Sequence, residues 1–294
     1  MPTDIPMGDL AAAKDFVLRT ARLLERHRFA FLFERGRAAE VVTTLRAYQN
    51  PDGGFGNALE PDLRGKESQP VPLEHALKIL DEVGDFDADI VLRSCDWLTA
   101  ATTEAGGVPF VLPSVADAPH APWWVPTGAP SLNPTAGIAG LLHKHEVSHP
   151  WLAKATTYCW DALSQAVDDL GPDDTISVLA FLEHAPDRKR AEAAFELLAP
   201  RVATELVALD PAAPGYVKTP LDFAPRPDSL SARLFDDDTI MLHLDALAAR
   251  QQDDGGWPIT WEPPSGAAVE EWRGIMTIKQ LAVLDSYGRL DQTA

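Results

Sequence analysis

Two glutamates stand at the same distance behind an aromatic residue, in stretches that nearly repeat one another. In "YQNPDGGFGNALEP" (48–61) and "RQQDDGGWPITWEP" (250–263), Gln49 aligns with Gln251, Asp52 with Asp254, Phe55 with Trp257 and Glu60 with Glu262, without a gap. A pair of carboxylates brought to one rim of a fold can act as general acid and base, or can hold a polar headgroup. The competing reading is that each glutamate caps its own loop by pairing with Arg64 or Arg273. Asp62, Arg64 and Trp261 are near neighbours in the chain and join the candidate site. A second acidic pair, Asp173-Asp174 in "GPDDTI", opens a helix, where carboxylates meet free N–H groups. His75, one turn into "PLEHALKIL", either faces a cavity or is a satisfied core histidine. Trp123-Trp124 lie in a proline-rich loop and are read as a lid or substrate wall, or as a cover for the core. Tyr216 is the aromatic candidate of a second such loop.

The elements that must position these residues are helices. Apolar periodicity, Pro/Gly punctuation and capping residues predict ten of them, at 9–27, 34–50, 70–83, 88–104, 133–146, 150–169, 174–185, 187–208, 237–252 and 267–287. Asn133 is expected to cap the fifth. Glycine pairs at 53–54, 106–107 and 255–256 follow helix ends and set a period of roughly 50 residues, or two helices, per unit. The middle copy is decayed: Thr102 replaces the Gln, Val108 the aromatic and Pro113 the Glu. Short helices that are apolar nearly all round alternate with longer amphipathic ones, as inner and outer layers do. The expectation is an all-α fold, a single α/α toroid of about five to six inner and outer helices spanning 1–294. Proline-rich loops at 110–132 and 209–235 would lie over or across its cavity.

The stretches "QNPDGGFG" and "QQDDGGWP" resemble the Gln–Trp repeat of squalene–hopene cyclases, of related class II terpene cyclases and of protein prenyltransferase β subunits. That resemblance implies the toroid, and an isoprenoid or other small apolar ligand in its centre, with acid-catalysed cyclisation as the activity. The cyclase signature Asp-x-Asp-Asp is incomplete in this chain. Asp173 and Asp174 match its last two acids with Gly171 in place of the first, and "FDDDTI" matches with Phe235 there. Helix order puts Asp173 on the rim that the Gly-Gly turns feed, so Asp173 is the expected acid, with Glu60 or Glu262 assisting. Two alternatives stay open. One is a carboxylate-based enzyme acting on a glycan or other polar substrate through Glu60 and Glu262; the other is a non-catalytic toroid that binds a ligand or a protein.

Composition narrows the field. A net charge of −19 argues against nucleic acid, which needs a basic stripe to neutralise phosphates. Two cysteines, Cys95 and Cys159, make no disulfide framework and lack the acidic and His spacing of a zinc site, so a reducing cytoplasm and no metal are expected. No cofactor is implied: phosphate-loop, nucleophile-elbow and dinucleotide patterns do not appear. The N-terminus lacks a secretory pattern, and no apolar run approaches the ~20 residues of a membrane span. His143, His145 and His149 are read as surface residues. Substrate and oligomeric state are not specified by any of these features.

Overall fold

The computed structural model describes residues 5–291, and their regular secondary structure is almost wholly helix. The chain is all-α. It divides into two compact units: Ala38–Pro200, and the flanking chain up to Arg37 and from Arg201 onward.

The unit Ala38–Pro200 follows the periodicity closely. Its helices are α3 (Ala38–Leu45), α4 (Pro70–Glu82), α5 (Ala88–Ala101), α6 (Leu132–Lys144), α7 (Pro150–Ala166), α8 (Pro172–His184) and α9 (Arg188–Arg201). α6 packs on α4, α7 and α8, while α5 packs on α4 and α7. Nine of the residues of α6 are buried, which explains its apolar circumference. Gly137 and Gly140 let its neighbours approach closely, since a Cβ on Gly137 would strike the Glu74 carboxylate and one on Gly140 would lie 2.6 Å from Ala180 O. Asn133 has the extended backbone (φ −95°, ψ 114°) expected of a cap ahead of Pro134, at a kink that follows a short turn begun at Ser131. His143 and His145 are not simple surface residues. His143 bonds Thr156, and His145 stacks on Phe86 at 3.9 Å while pairing with Asp81.

The flanking unit holds α1 (Leu10–Thr20), α2 (Leu23–Phe33), the short α10 (Pro220–Phe223), α11 (Asp237–Ala249) and α12 (Gly266–Ser286). The expected helix 9–27 is two helices, broken where Ala21 and Arg22 adopt extended backbone. No Gly or Pro marks that break. Side chains hold it instead: Arg26 Nε donates to Ala21 O, and Arg22 forks onto Glu25, which is fully buried. α12 packs on α1, α2 and α11, and a two-residue parallel ladder joins Gly8–Asp9 to Leu290–Asp291. The segment 209–235 is less irregular than its prolines suggest, because it contains α10 with a full capping box and a 3-10 turn at Leu230–Leu234.

All three glycine pairs build the same turn. The first glycine has φ of +95° at Gly53, +98° at Gly106 and +92° at Gly255, a region open to Gly and strained for other residues. The N–H three residues before it donates to the carbonyl of the second glycine in each copy: Asn50 to Gly54, Thr103 to Gly107 and Gln252 to Gly256. Each first glycine also lies against a helix backbone, at Arg93 and Lys154 of helices that follow in the chain and at Ala12 of the first helix respectively. The glutamine amides lock two copies across that contact. Gln49 donates to Gly53 O and Ile90 O, and Gln251 to Gly255 O and Asp9 O. In the decayed copy the Thr103 hydroxyl donates to Gly107 O instead.

Candidate functional site

Beyond the first turn, the loop 56–69 turns back on itself through two left-handed residues, Asn57 and Ala58 (φ +56° and +58°). For a residue with a Cβ this conformation costs on the order of 1–2 kcal/mol, and side chains hold it in place. Asn57 donates to Asn50 Oδ1, Asn50 donates to Lys66 O and Ser68 Oγ, and Ser68 donates to Asp52 Oδ1. The result buries Glu60 and Asp62 to 4% and 2% exposure. Glu60 Oε2 lies 3.9 Å from Nδ1 of His75, whose ring keeps partial access to solvent. Arg64 Nη1 lies 3.4 Å from Pro61 O.

The proline-rich loop 110–132 lies on this acidic loop. Ala121 N–H donates to Asp62 O, Arg64 N–H to Pro119 O, and Gln69 bridges Ser114 Oγ and the Leu112 N–H. A small pocket between the two loops is lined by Arg64, Gln69, Ser114 and His120, among others. The Trp pair splits. Trp124 is buried, stacks on Phe110 at 4.8 Å and joins a small cluster with Leu63, Val115 and Val71, whereas Trp123 remains 44% exposed. Val71 and His75 are one turn apart on one face of α4, so this aromatic floor and the Glu60–His75 pair are neighbours.

Two further acids lie on α4 and α8. Glu74 is buried beside His75; its Oε2 pairs with Lys78 at 2.9 Å and its carboxylate rests against Gly137 of α6. Asp174, in the first turn of α8, is half-buried. Burial raises its carboxyl above the ordinary range, and the N–H groups of Asn133 and Gly171 offset only part of that. Asp173, the acid expected from helix order, is exposed. The first turns of α6 and α8 are therefore joined through Asn133 and Asp174, and the second turns of α4 and α6 through Glu74 and Gly137. Glu74 was not legible as a site residue. Its one sequence signal is a Glu–Lys pair at i,i+4 on a helix that is otherwise apolar.

The remaining candidates belong to the flanking unit. Glu262 is exposed, and Arg273 is engaged by Gln252 Oε1 and Asp254 Oδ1 while lying over the Phe16 ring at 4.5 Å. Trp261 packs edge-on against both Tyr216 and Trp272. Burial pushes the Cys95 thiol up to about 12 and the Cys159 thiol higher still, so neither is a thiolate nucleophile at neutral pH. Among the described residues no cluster of three or more His, Cys, Asp or Glu is arranged to hold a metal, and no helix is long and apolar enough to cross a membrane.

No family model matches the chain, and no curated protein is significantly similar to it. A solved structure of a protein from Actinoplanes superposes with a TM-score of 0.52 over 95% of this chain and 89% of that one, at 15% identity. The two chains share a fold.

Proposed function

We propose that the protein is an acid–base enzyme acting on a polar substrate of glycan-like class, with Glu60 and His75 as its proton-transfer pair. The observation that carries this reading is a buried carboxylate 3.9 Å from a partly accessible imidazole, on a loop held in a strained conformation. Strained backbone of this kind clusters at functional sites because the surroundings must over-determine it. Asp62 and Glu74 add negative potential that favours neutral or cationic substrates over anionic ones. The aromatic floor of Trp124 and Phe110 supplies an apolar face for a ring. Two buried, unpaired thiols support a cytoplasmic location. The test is hydrolysis of a panel of p-nitrophenyl glycosides, with thermal unfolding measured alongside. Turnover that falls on the order of 10²-fold or more in Glu60→Gln, with folding retained, supports the pair. Full turnover in that variant, or none by the native protein across the panel, removes it.

A second reading is favoured by Asp174. A carboxyl whose proton affinity is raised by burial is suited to protonate an apolar substrate, and the Gln–Trp resemblance supports an isoprenoid. Native mass spectrometry of protein from its own host would show a retained apolar mass, which Asp174→Asn should not abolish if the acid only reacts. Finding no such mass counts against this reading.

A further inference from the structure

The flanking unit contains an aromatic assembly that the acid–base reading does not use. Trp261 is met edge-on by Tyr216 at 5.7 Å and 87° and by Trp272 at 5.0 Å and 83°. Tyr216 is 57% exposed and sits on the proline-rich segment, with Lys218 Nζ bonded to its hydroxyl and lying over its ring at 4.4 Å. Trp272 Nε1 is buried with no hydrogen-bond partner among the described residues. A buried donor left without an acceptor is costly, and indole N–H groups ordinarily find one.

We propose that Trp261 and Trp272 form a binding site for a neutral sugar ring, with Tyr216 as its movable cover. The ligand class follows from three constraints. An anion is opposed by Glu262, Glu270 and Glu271, which flank the two tryptophans in the chain, while Lys218 is engaged by Tyr216 and Arg273 by Gln252 and Asp254. A quaternary ammonium needs a box of ring faces, whereas these rings meet edge to face at contact distance, and a cation cannot accept from the Trp272 N–H. A pyranose meets both remaining needs. Its C–H face stacks on the electron-rich face of Trp261, and a hydroxyl oxygen accepts from Trp272. This site stands apart from the acid–base reading, since it is read by binding without turnover and uses none of those residues.

The experiment is calorimetric and tryptophan-fluorescence titration of the full chain with cellotetraose, maltotetraose and chitotetraose, with choline chloride and sodium sulfate as cationic and anionic comparators. At least one sugar is expected to saturate with a dissociation constant in the millimolar range or tighter. Trp261→Ala should abolish the response. Trp272→Phe, which keeps a ring and removes the donor, should weaken it roughly 2- to 10-fold, with thermal unfolding confirming that both variants fold. The proposal is overturned if no sugar saturates by ~20 mM, if choline or sulfate binds instead, or if Trp272→Phe binds like the native chain.

Discussion

The tails of the two repeat copies diverge after identical turns. At 48–56 and 250–258 the glutamine, the Asp-Gly-Gly turn and the buried aromatic have the same partners in kind: Asp52 accepts from Gly54 N–H at 3.0 Å, and Asp254 from Gly256 N–H at 3.0 Å. Five residues past the aromatic the copies part. Glu60 is buried beside His75, while Glu262 stands in solvent. The turn is specified within the motif by two glycines and an Asx side chain, so it recurs wherever the motif does. The tail is specified by what packs on it. Asn57 and Ala58 turn the first copy through positive φ, whereas Pro258, Ile259 and Thr260 of the second have none. An acid repeated in sequence is thus not an acid repeated in role.

The largest expected effect breaks this comparison in function. Glu60→Gln should lower turnover on the order of 10²- to 10⁴-fold, and Glu262→Gln should leave it within about twofold. Equal losses from both would mean the tails are equivalent. The next effect sharpens the comparison in stability. Gly53→Ala and Gly255→Ala force positive φ on a residue with a Cβ and drive that Cβ into the backbone of Arg93 or Ala12. Each should cost about 2–4 kcal/mol in urea unfolding, and Gly106→Ala, whose nearest neighbour would be 3.1 Å away, about 1–2 kcal/mol. Gln49→Ala and Gln251→Ala each remove an amide that bonds two carbonyls, and should cost about 1–2 kcal/mol. A much larger loss at one of them would show that the two turns are not equivalent.

A pH titration separates acids by sign. Burial alone would raise the carboxyl of Asp222, but Lys279 at 2.8 Å, the Thr219 N–H and Lys218 overcome it and hold the group well below the carboxylate range. A depressed folded value means that its contribution is present above the unfolded value near ~4 and is lost as pH falls through the folded value. Asp222→Asn should therefore flatten the acid limb of stability below about pH 4. Asp174, shifted upward by burial, works in the other direction, so Asp174→Asn should raise stability most at neutral pH, where its ionised form is disfavoured. Acid limbs that do not respond to either substitution would refute both assignments.

What the sequence made legible follows the same division between local and tertiary causes. The helix α4 is expected at 70–83 and observed at Pro70–Glu82, because prolines at its start and apolar spacing along it are local signals. The all-α fold is legible for the same reason. The break at Ala21–Arg22 is not, since it depends on a buried Glu25 gripping Arg22. Nor is the choice between Asp173 and Asp174, because the half-burial of Asp174 depends on Asn133, whose extended backbone brings its N–H to that carboxylate. Glu74 illustrates the limit most sharply: a buried acid on an apolar helix is tolerated where a glycine far along the chain, Gly137, leaves it room.

The parallel ladder between Gly8–Asp9 and Leu290–Asp291 has a consequence for biosynthesis. The unit Ala38–Pro200 is contiguous, so it has all its partners as soon as it leaves the ribosome. α1 and α2 must instead wait for α11 and α12, roughly 10–50 s at ~5–20 residues per second. Over that interval the apolar faces of α1 and α2, with Phe16, Val17 and Leu24 among them, lack the cover that α12 supplies. Of the two units, the flanking one therefore completes its core later, and the docking of α12 on α1 and α2 ends the exposure.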